Sequence, residues 1–204
     1  MNRIASPISS TARLALAAAA LLALSGTSSF AAPVRHALDP AHTVVAFLVE
    51  HVGFAKTLGR FTDVSGSFVW DPETRTLSEL RVIVATASVS TDHEARDRHV
   101  RDDDFLDVER HPEMIFETEG PVVIEGDTAR VEGMLTLLGQ TRPLALDVVL
   151  NKSGRYPFGH EKETLGISAR GSLLRSDYGM EYAVANGLVG DEVSLIIELE
   201  ALRD

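Results

Sequence analysis

The stretch that decides the fold reads Thr43-Val44-Val45-Ala46-Phe47-Leu48-Val49-Glu50-His51. Every second side chain from Thr43 to His51 falls on one face, which carries Val45, Phe47 and Val49. A hydrophobic period of two is typical of a β-strand with one buried face, because successive side chains of a strand point in opposite directions. The stretch therefore predicts a strand rather than a helix.

The same period recurs along most of the remaining chain. Further strands are predicted at residues 66–70, 80–89, 114–118, 122–124, 131–138, 144–150, 165–174 and 193–199. Turns are predicted at Asp71-Pro72-Glu73, at Gly126-Asp127 and at residues 139–143, and a longer loop at residues 151–163. About eight antiparallel strands result, and that number can close into a barrel without exposed sheet edges. We therefore expect an all-β, antiparallel, eight-stranded barrel.

One segment, residues 91–106, interrupts the strand pattern. Its charged residues leave no two-residue alternation, and Asp92 has the side chain of a helix N-cap. A short helical segment between strands is therefore expected here.

The N-terminus has the order of a secretory signal peptide. Arg3 and Arg13 precede an apolar stretch at residues 14–24, and small residues follow up to Ala31. The apolar stretch is shorter than the roughly 20 residues that a membrane-spanning helix needs. We expect cleavage after Ala31, which makes residues 1–31 a signal peptide and residues 32–204 one soluble domain in the periplasm. A retained membrane anchor is the alternative.

Composition excludes several classes of function. The net charge is −11, and removal of residues 1–31 makes it more negative, so the surface repels phosphate backbones and nucleic acid is not an expected partner. The chain has no Cys, which excludes disulfides, zinc–thiolate sites and cysteine nucleophiles. Its stability must therefore come from packing.

Motifs for catalysis are weak. None of the seven His has a spacing typical of a metal site, and no Gly-x-Ser-x-Gly elbow or phosphate-binding glycine loop is present. We expect no enzymatic activity, no metal and no cofactor. An envelope hydrolase or a metal-dependent enzyme that uses His93 and His99 in the charged segment is the alternative.

Bulky apolar side chains share the inward faces of the predicted strands. This candidate lining set is Phe47, Val49, Phe68, Trp70, Met114, Phe116, Leu135, Leu137 and Ile167. An eight-stranded barrel can be filled by such side chains or can hold one small ligand. The pattern alone leaves both open, so an interaction module with a filled core is a further alternative.

Several motifs resemble those of the YceI family of envelope proteins. They are DPAHTVVAFLVEH at residues 39–51, GRF at 59–61 with Gly66, RDRHVRDDDFLDV at 96–108, HPEMIF at 111–116, GMLTLLG at 133–139, RSDYGM at 175–180 and VGDEV at 189–193. The resemblance covers essentially all of residues 32–204, with the motifs in the family's order. Leu106 departs from it where a second Phe is usual, and Leu138 where His is common.

The resemblance implies a lipocalin-like barrel with a long apolar tunnel that binds polyisoprenoid chains or other amphiphiles, such as fatty-acid derivatives or quinones, without catalysis. The expected partner is thus an amphiphilic lipid, which the protein carries or sequesters. The two departures place the ligand's identity in question rather than the fold. Transient contact with a membrane and pairing as a homodimer are left open.

Polar anchors and a gate complete the expectations. His51 lies at the end of its strand on the face of Phe47, where it can meet a lipid head group or bond a loop carbonyl. Arg175 can pair with a phosphate or, as we favour, with a carboxylate such as Asp177, because a buried Arg needs a partner when no ligand is bound. Phe105 and Leu106 end the charged segment and are predicted to gate the tunnel.

Overall fold

A computed structural model describes residues 32–204. The expected signal peptide lies outside the described residues. The strands are β1 Val34–Leu38, β2 Val44–His51, β3 Ala55–Phe61, β4 Val64–Asp71, β5 Thr76–Ala85, β6 Val89–Ser90, β7 Glu113–Glu117, β8 Val122–Val123, β9 Thr128–Leu137, β10 Gln140–Arg155, β11 Glu163–Leu174 and β12 Val189–Arg203. One α-helix, α1, spans Glu94–Arg101, and 3-10 turns lie at Thr86–Ser88 and Arg175–Tyr178.

The strands close into an antiparallel barrel. The ring runs β1-β4-β5-β7-β9-β10-β11-β12 and closes where β1 pairs with β12, with His36 opposite Arg203 and Leu38 opposite Ala201. The predicted eight-stranded barrel with one short helical segment is confirmed.

Three strands of the barrel are each built from two segments. Both β1 and β2 pair with β12, so they are successive halves of one bent strand. The bend is held by β12, since the Asp39 amide donates to the Glu200 carbonyl and the Glu200 amide donates to the His42 carbonyl. Likewise β3 and β4 follow one another, as do β5 and β6, and the pairs β2–β3 and β3–β6 continue the sheet beyond β1–β4 and β4–β5.

The structure corrects three local predictions. The side chain that caps α1 is His93, whose Nδ1 accepts the Arg96 amide, and not Asp92. The predicted turn at residues 139–143 is tighter, because Leu138 and Gly139 have positive φ and β10 already begins at Gln140. The predicted loop at residues 151–163 is shorter, because β10 runs on to Arg155.

The two ends of the barrel differ in how they are filled. The end that carries β1 and the β10–β11 turn, called here the filled end, has a solid core that includes Phe68, Trp70 and Leu165. There the His36 ring stacks on Phe68 with centroids 5.7 Å apart. The opposite end, called the open end, carries the β2–β3 turn, α1 and residues 180–188. None of the helices within residues 32–204 is long and apolar enough to cross a membrane.

Candidate functional site: an apolar cavity at the open end

A cavity of about 580 Å³ occupies the open end of the barrel. Its wall is formed by the second half of β2, by β3, by the first half of β12, by the ends of β7, β9 and β11, and by two covering segments at residues 91–106 and 180–188. The volume lies within the range of about 300–1,000 Å³ that is typical of small-ligand pockets. The open end therefore has room for a small ligand.

The wall is apolar because the inward faces of two paired strands coincide. Phe47 of β2 lies opposite Leu195 of β12, and Val49 lies opposite Val193. All four residues line the cavity, and each is only half-buried. These side chains therefore present apolar surface that the protein itself does not cover.

Phe47 owes its position to a glycine. A Cβ atom at Gly59 would lie 2.2 Å from Cζ of Phe47, so only glycine at this point of β3 leaves room for the ring. The ring then tilts against Phe61, with centroids 5.6 Å apart. The resemblance motif GRF at residues 59–61 thus shapes one side of the wall.

The structure divides the candidate lining set into two groups. Phe47, Val49, Met114 and Leu137 lie in the cavity wall. The other five are buried outside that wall, which corrects their expected position: Phe68, Trp70, Phe116, Leu135 and Ile167.

The physical reason is filling of the lumen below the cavity. Phe116 lies opposite Leu135 across the β7–β9 pair, and Gly133 gives its ring space, because a Cβ there would lie 2.7 Å from Cζ of Phe116. Phe68 and Trp70 occupy the lumen at the filled end, where Phe68 is only 1% exposed. The expected long tunnel is therefore a cavity confined to one end of the barrel.

Of the two predicted polar anchors, His51 lies at the rim. It ends β2, is exposed and lines the cavity. Its role toward a head group stays a prediction.

Arg175 also lines the cavity but is held differently from the expected ion pair. Its guanidinium donates four hydrogen bonds of 2.7–2.9 Å, all to backbone carbonyls: Gly190, Met180, Tyr182 and Val189. The favoured pairing with Asp177 is therefore wrong. Burial lowers the pKa of Arg175, and the negative charge of Asp191 opposes that shift.

Asp191 completes the same fastening. Its carboxylate accepts the amide and the hydroxyl of Ser176 at 2.9 and 2.7 Å. The motifs at residues 175–180 and 189–193 thus lock to each other, and they fix the chain that runs between them across the cavity. Arg175 and Asp191 thus have a structural role, since the guanidinium of Arg175 donates its hydrogen bonds to backbone carbonyls.

The predicted gate residues lie in the wall. Leu106 is 6% exposed, and Phe105 is half-buried. Phe105, His99 and Tyr182 form a three-ring cluster with centroid distances of 5.0–5.2 Å, and the centre of the Arg175 guanidinium lies 5.8 Å from the Phe105 ring centroid. The cluster joins the two covering segments to each other. Gating itself stays a prediction.

The covering segment at residues 91–106 is pinned by its charged side chains. Oδ1 of Asp97 accepts the Thr91 amide at 2.7 Å, and Nε of Arg96 donates to the Thr91 hydroxyl at 2.7 Å. Arg101 donates to the carbonyls of Ala87 and Val89 at 2.9 and 2.6 Å. Asp97 is itself buried, although it lies in the most highly charged segment of the chain.

Asp97 is held as a carboxylate. Burial acts to raise its pKa, but the hydrogen bonds from Thr91 and the positive charge of Arg101 act against it, and the pKa ends below its ordinary value. The ionised side chain can therefore keep accepting both hydrogen bonds from Thr91 at neutral pH.

His93 and His99, the residues of the alternative hydrolase or metal site, both make other contacts in the structure. His93 caps α1, and Nε2 of His99 lies 3.1 Å from Asp104 Oδ2 within the aromatic cluster. Within residues 32–204, the side chains close enough to share an ion are instead Asp39, His42 and Glu200, at the bend between β1 and β2. Nδ1 of His42 is hydrogen-bonded to Asp39 at 2.8 Å, and this contact fastens the bend.

Sequence reasoning missed much of the wall. Val193 and Leu195 fall in the predicted strand at residues 193–199, but only the β2–β12 register places them beside Val49 and Phe47. The segment at residues 180–188 has no strand period, so no pattern pointed to Met180, Tyr182 or Leu188.

The sequence is similar to those of known proteins along nearly all of the described chain. A family model described as the YceI-like domain matches residues 36–201. A UPF0312 protein of Pectobacterium atrosepticum is 33% identical over 190 residues, covering 93% of this chain and 96% of that protein. A UPF0312 protein of Serratia proteamaculans is 34% identical with the same coverage.

Solved structures share the barrel. The Campylobacter jejuni YceI protein superposes with a TM-score of 0.68 at 27% identity, covering 76% of this chain and 89% of that chain. A polyisoprenoid binding domain from Saccharophagus degradans superposes with a TM-score of 0.60 at 14% identity, covering 84% and 99%. At that lower identity the likeness shows the fold alone.

Proposed function

The chain belongs to the YceI-like family, and from this we propose that it binds a long apolar lipid of the polyisoprenoid or isoprenoid quinone class in the cavity at its open end. The observation that carries the proposal is the apolar wall of Phe47, Val49, Val193 and Leu195, whose side chains face the interior of the barrel and are only partly buried. The fold shared with a polyisoprenoid binding domain supports it.

The driving force is removal of the lipid tail from water. Each methylene that moves into an apolar site contributes about 0.8 kcal/mol before losses of motion on binding. A preformed wall lowers those losses, and the four hydrogen bonds of Arg175 keep the wall in place before lipid arrives. Affinity should therefore rise with tail length until the cavity is full.

We propose binding rather than catalysis, with the protein carrying or sequestering the lipid in the periplasm. Three polar side chains that line the cavity already have structural partners: Arg175 donates to backbone carbonyls, Arg96 donates to Thr91, and His99 lies against Asp104. A reacting group needs a side chain free to exchange protons or attack a bond. This arrangement favours a container over an active site.

Organic extraction of the purified, folded protein followed by mass spectrometry tests the proposal. We expect close to one isoprenoid lipid per chain. Phe47→Glu should lose it, because an ion in a dry cavity costs several kcal/mol. Val44→Glu, on the outward face of the same strand, is the control and should retain it. Folded wild type that carries no lipid, and takes none up when offered, would contradict the proposal.

A further inference from the structure

Exposed apolar side chains surround the mouth of the cavity. This apolar rim consists of Val52 and Phe54 in the β2–β3 turn and Tyr182 and Leu188 in the covering segment. Their exposed fractions are 39%, 91%, 44% and 47%. The two parts of the rim are adjacent, since the Val52 amide donates to the Leu188 carbonyl at 3.0 Å. All but Phe54 also line the cavity.

The rim is free of formal charge in an acidic protein. Residues 51–55 and 182–190 contain no Asp, Glu, Lys or Arg, although 24% of the chain is charged and its net charge is −11. Contiguous exposed apolar surface usually marks a site of interaction, because leaving it in water is unfavourable. An uncharged rim also avoids the repulsion that the rest of the surface would exert on an anionic partner.

We propose that the apolar rim docks on a lipid bilayer, so that the cavity mouth opens directly into the acyl-chain region; this inference rests on the proposed function. A lipid tail that crosses water to reach the cavity exposes every methylene on the way, whereas a mouth pressed against the bilayer hides them throughout. Phe54, at the tip of the turn, enters the membrane first. Tyr182 suits the interface, where its ring is buried and its hydroxyl stays wet.

The geometry favours a bilayer over a second copy of the chain. The rim offers four side chains on one turn and one segment, whereas a stable protein interface uses about 20–30 residues on each side. A few apolar side chains at a tip are enough for shallow, reversible insertion into a membrane. Reversible contact is what a carrier needs, because it must leave with its cargo.

The filled end provides a matched control. Phe158, in the β10–β11 turn, is also a turn phenylalanine and is 67% exposed. Its ring packs on Tyr156, with centroids 5.1 Å apart, and Arg155 at the end of β10 pairs with Glu161 of the turn. Phe158 lies at the opposite end of the barrel from the cavity mouth and beside charged side chains, so it is not expected to enter a membrane.

Site-specific fluorescence tests the docking. Phe54→Trp and Phe158→Trp are mixed with phosphatidylcholine vesicles whose acyl chains are brominated, and Trp70, buried at the filled end, gives both variants the same background. We expect a blue shift and quenching for Phe54→Trp only. Equal signals from the two variants, or none from Phe54→Trp, would overturn the docking.

A second measurement separates docking from lipid binding. Phe54→Ser should lower co-flotation with phosphatidylcholine vesicles by about tenfold, a loss of about 1.4 kcal/mol of binding free energy, because the apolar ring no longer enters the membrane. It should slow uptake of a fluorescent isoprenoid from vesicles but leave uptake from cyclodextrin at the wild-type level. Phe158→Ser should change none of these.

The outcomes are distinct. Uptake of the isoprenoid from cyclodextrin without quenching at position 54 refutes the docking and keeps the proposed function. Quenching at position 54 without uptake from either source refutes the proposed function and keeps the docking. A dimer in sedimentation that Phe54→Ser dissociates, with no vesicle binding, shows that a second copy covers the rim and refutes the membrane as its partner.

Discussion

The two ends of the barrel are built from the same strands and the same hydrophobic period, yet one is solid and the other hollow. At the filled end the lumen receives Phe68 and Trp70, and the His36 ring stacks on Phe68. At the open end the inward residues are mostly aliphatic, and the ring of Phe47 lies over Gly59 and against Phe61, at the side of the lumen. The difference shows that a period of two specifies which side chains face inward, but not whether they meet.

The largest contrast should appear in stability. Phe68→Ala is expected to lower the free energy of unfolding by about 3–5 kcal/mol, because it leaves a void in a solid core. Phe47→Ala should cost only about 1–2 kcal/mol, since its ring borders the cavity and is only partly buried before truncation. Urea denaturation of lipid-free protein measures both. Equal losses would mean that the open end is as filled as the other.

The next largest effect concerns the hydrogen bonds by which Arg175 holds residues 180–190 at the open end. Arg175→Met keeps an apolar stem but leaves the carbonyls of Met180 and Gly190 without their donor, at about 1–3 kcal/mol for a stranded group. Faster hydrogen exchange is expected in residues 180–190. Arg170→Met is the control, because Arg170 is paired with Glu198 at the exposed outer surface, where such pairs contribute about 0–1 kcal/mol. Similar effects of the two changes would show that Arg175 does not hold this segment in place.

A smaller effect should separate kinetics from stability. Phe105→Ala removes one ring of the cluster with His99 and Tyr182, and such ring pairs contribute about 0.5–1.5 kcal/mol. If residues 91–106 gate the cavity, transfer of a fluorescent isoprenoid becomes faster. Ile197→Ala, a change to a partly buried core residue of β12, should alter unfolding without accelerating transfer. Unchanged transfer in Phe105→Ala would show that the segment is a static cover.

The smallest effect is on pH dependence. The pKa of Asp97 is lower in the folded protein than its ordinary value, so its contribution is present above the unfolded pKa of about 3.9 and is lost as the pH falls through the folded pKa. Protonation weakens the bonds to Thr91, so the amide hydrogens of residues 91–106 should lose protection, measured relative to their intrinsic exchange rates, as the pH falls below about 3.9. Asp97→Asn should show fast exchange at every pH. A wild-type profile that is flat in acid would contradict this role for Asp97.

How much could be predicted from the sequence depends on how far apart along the chain the interacting residues lie. The barrel and the inward positions of Phe47, Val49, Met114 and Leu137 follow from local alternation, which a single strand displays. The filling of the lumen by Phe68, Trp70 and Phe116 depends on strands far apart in sequence, and no local pattern reports it.

Arg175 shows the same limit. Its inward position could be predicted from the alternation of β11, but its four carbonyl partners come from residues 180–190, which have no regular period. Three motifs carry much of the family resemblance: residues 96–108, 175–180 and 189–193. They contain side chains that hold one segment of the chain to another by hydrogen bonds, such as Asp97, Arg101 and Asp191. They therefore indicate the fold more directly than they indicate the wall of the cavity.

The most direct test of the central claim, that lipid occupies the open end alone, is photo-crosslinking of the lipid-free protein with an isoprenoid that carries a photoreactive group at its tail, followed by peptide mapping. We expect labels on the second half of β2 around Phe47 and Val49 and on the first half of β12 around Val193 and Leu195. Phe68, Trp70 and Ile167 should remain unlabelled. Labels spread through the filled end, or confined to the outer surface, would contradict the account.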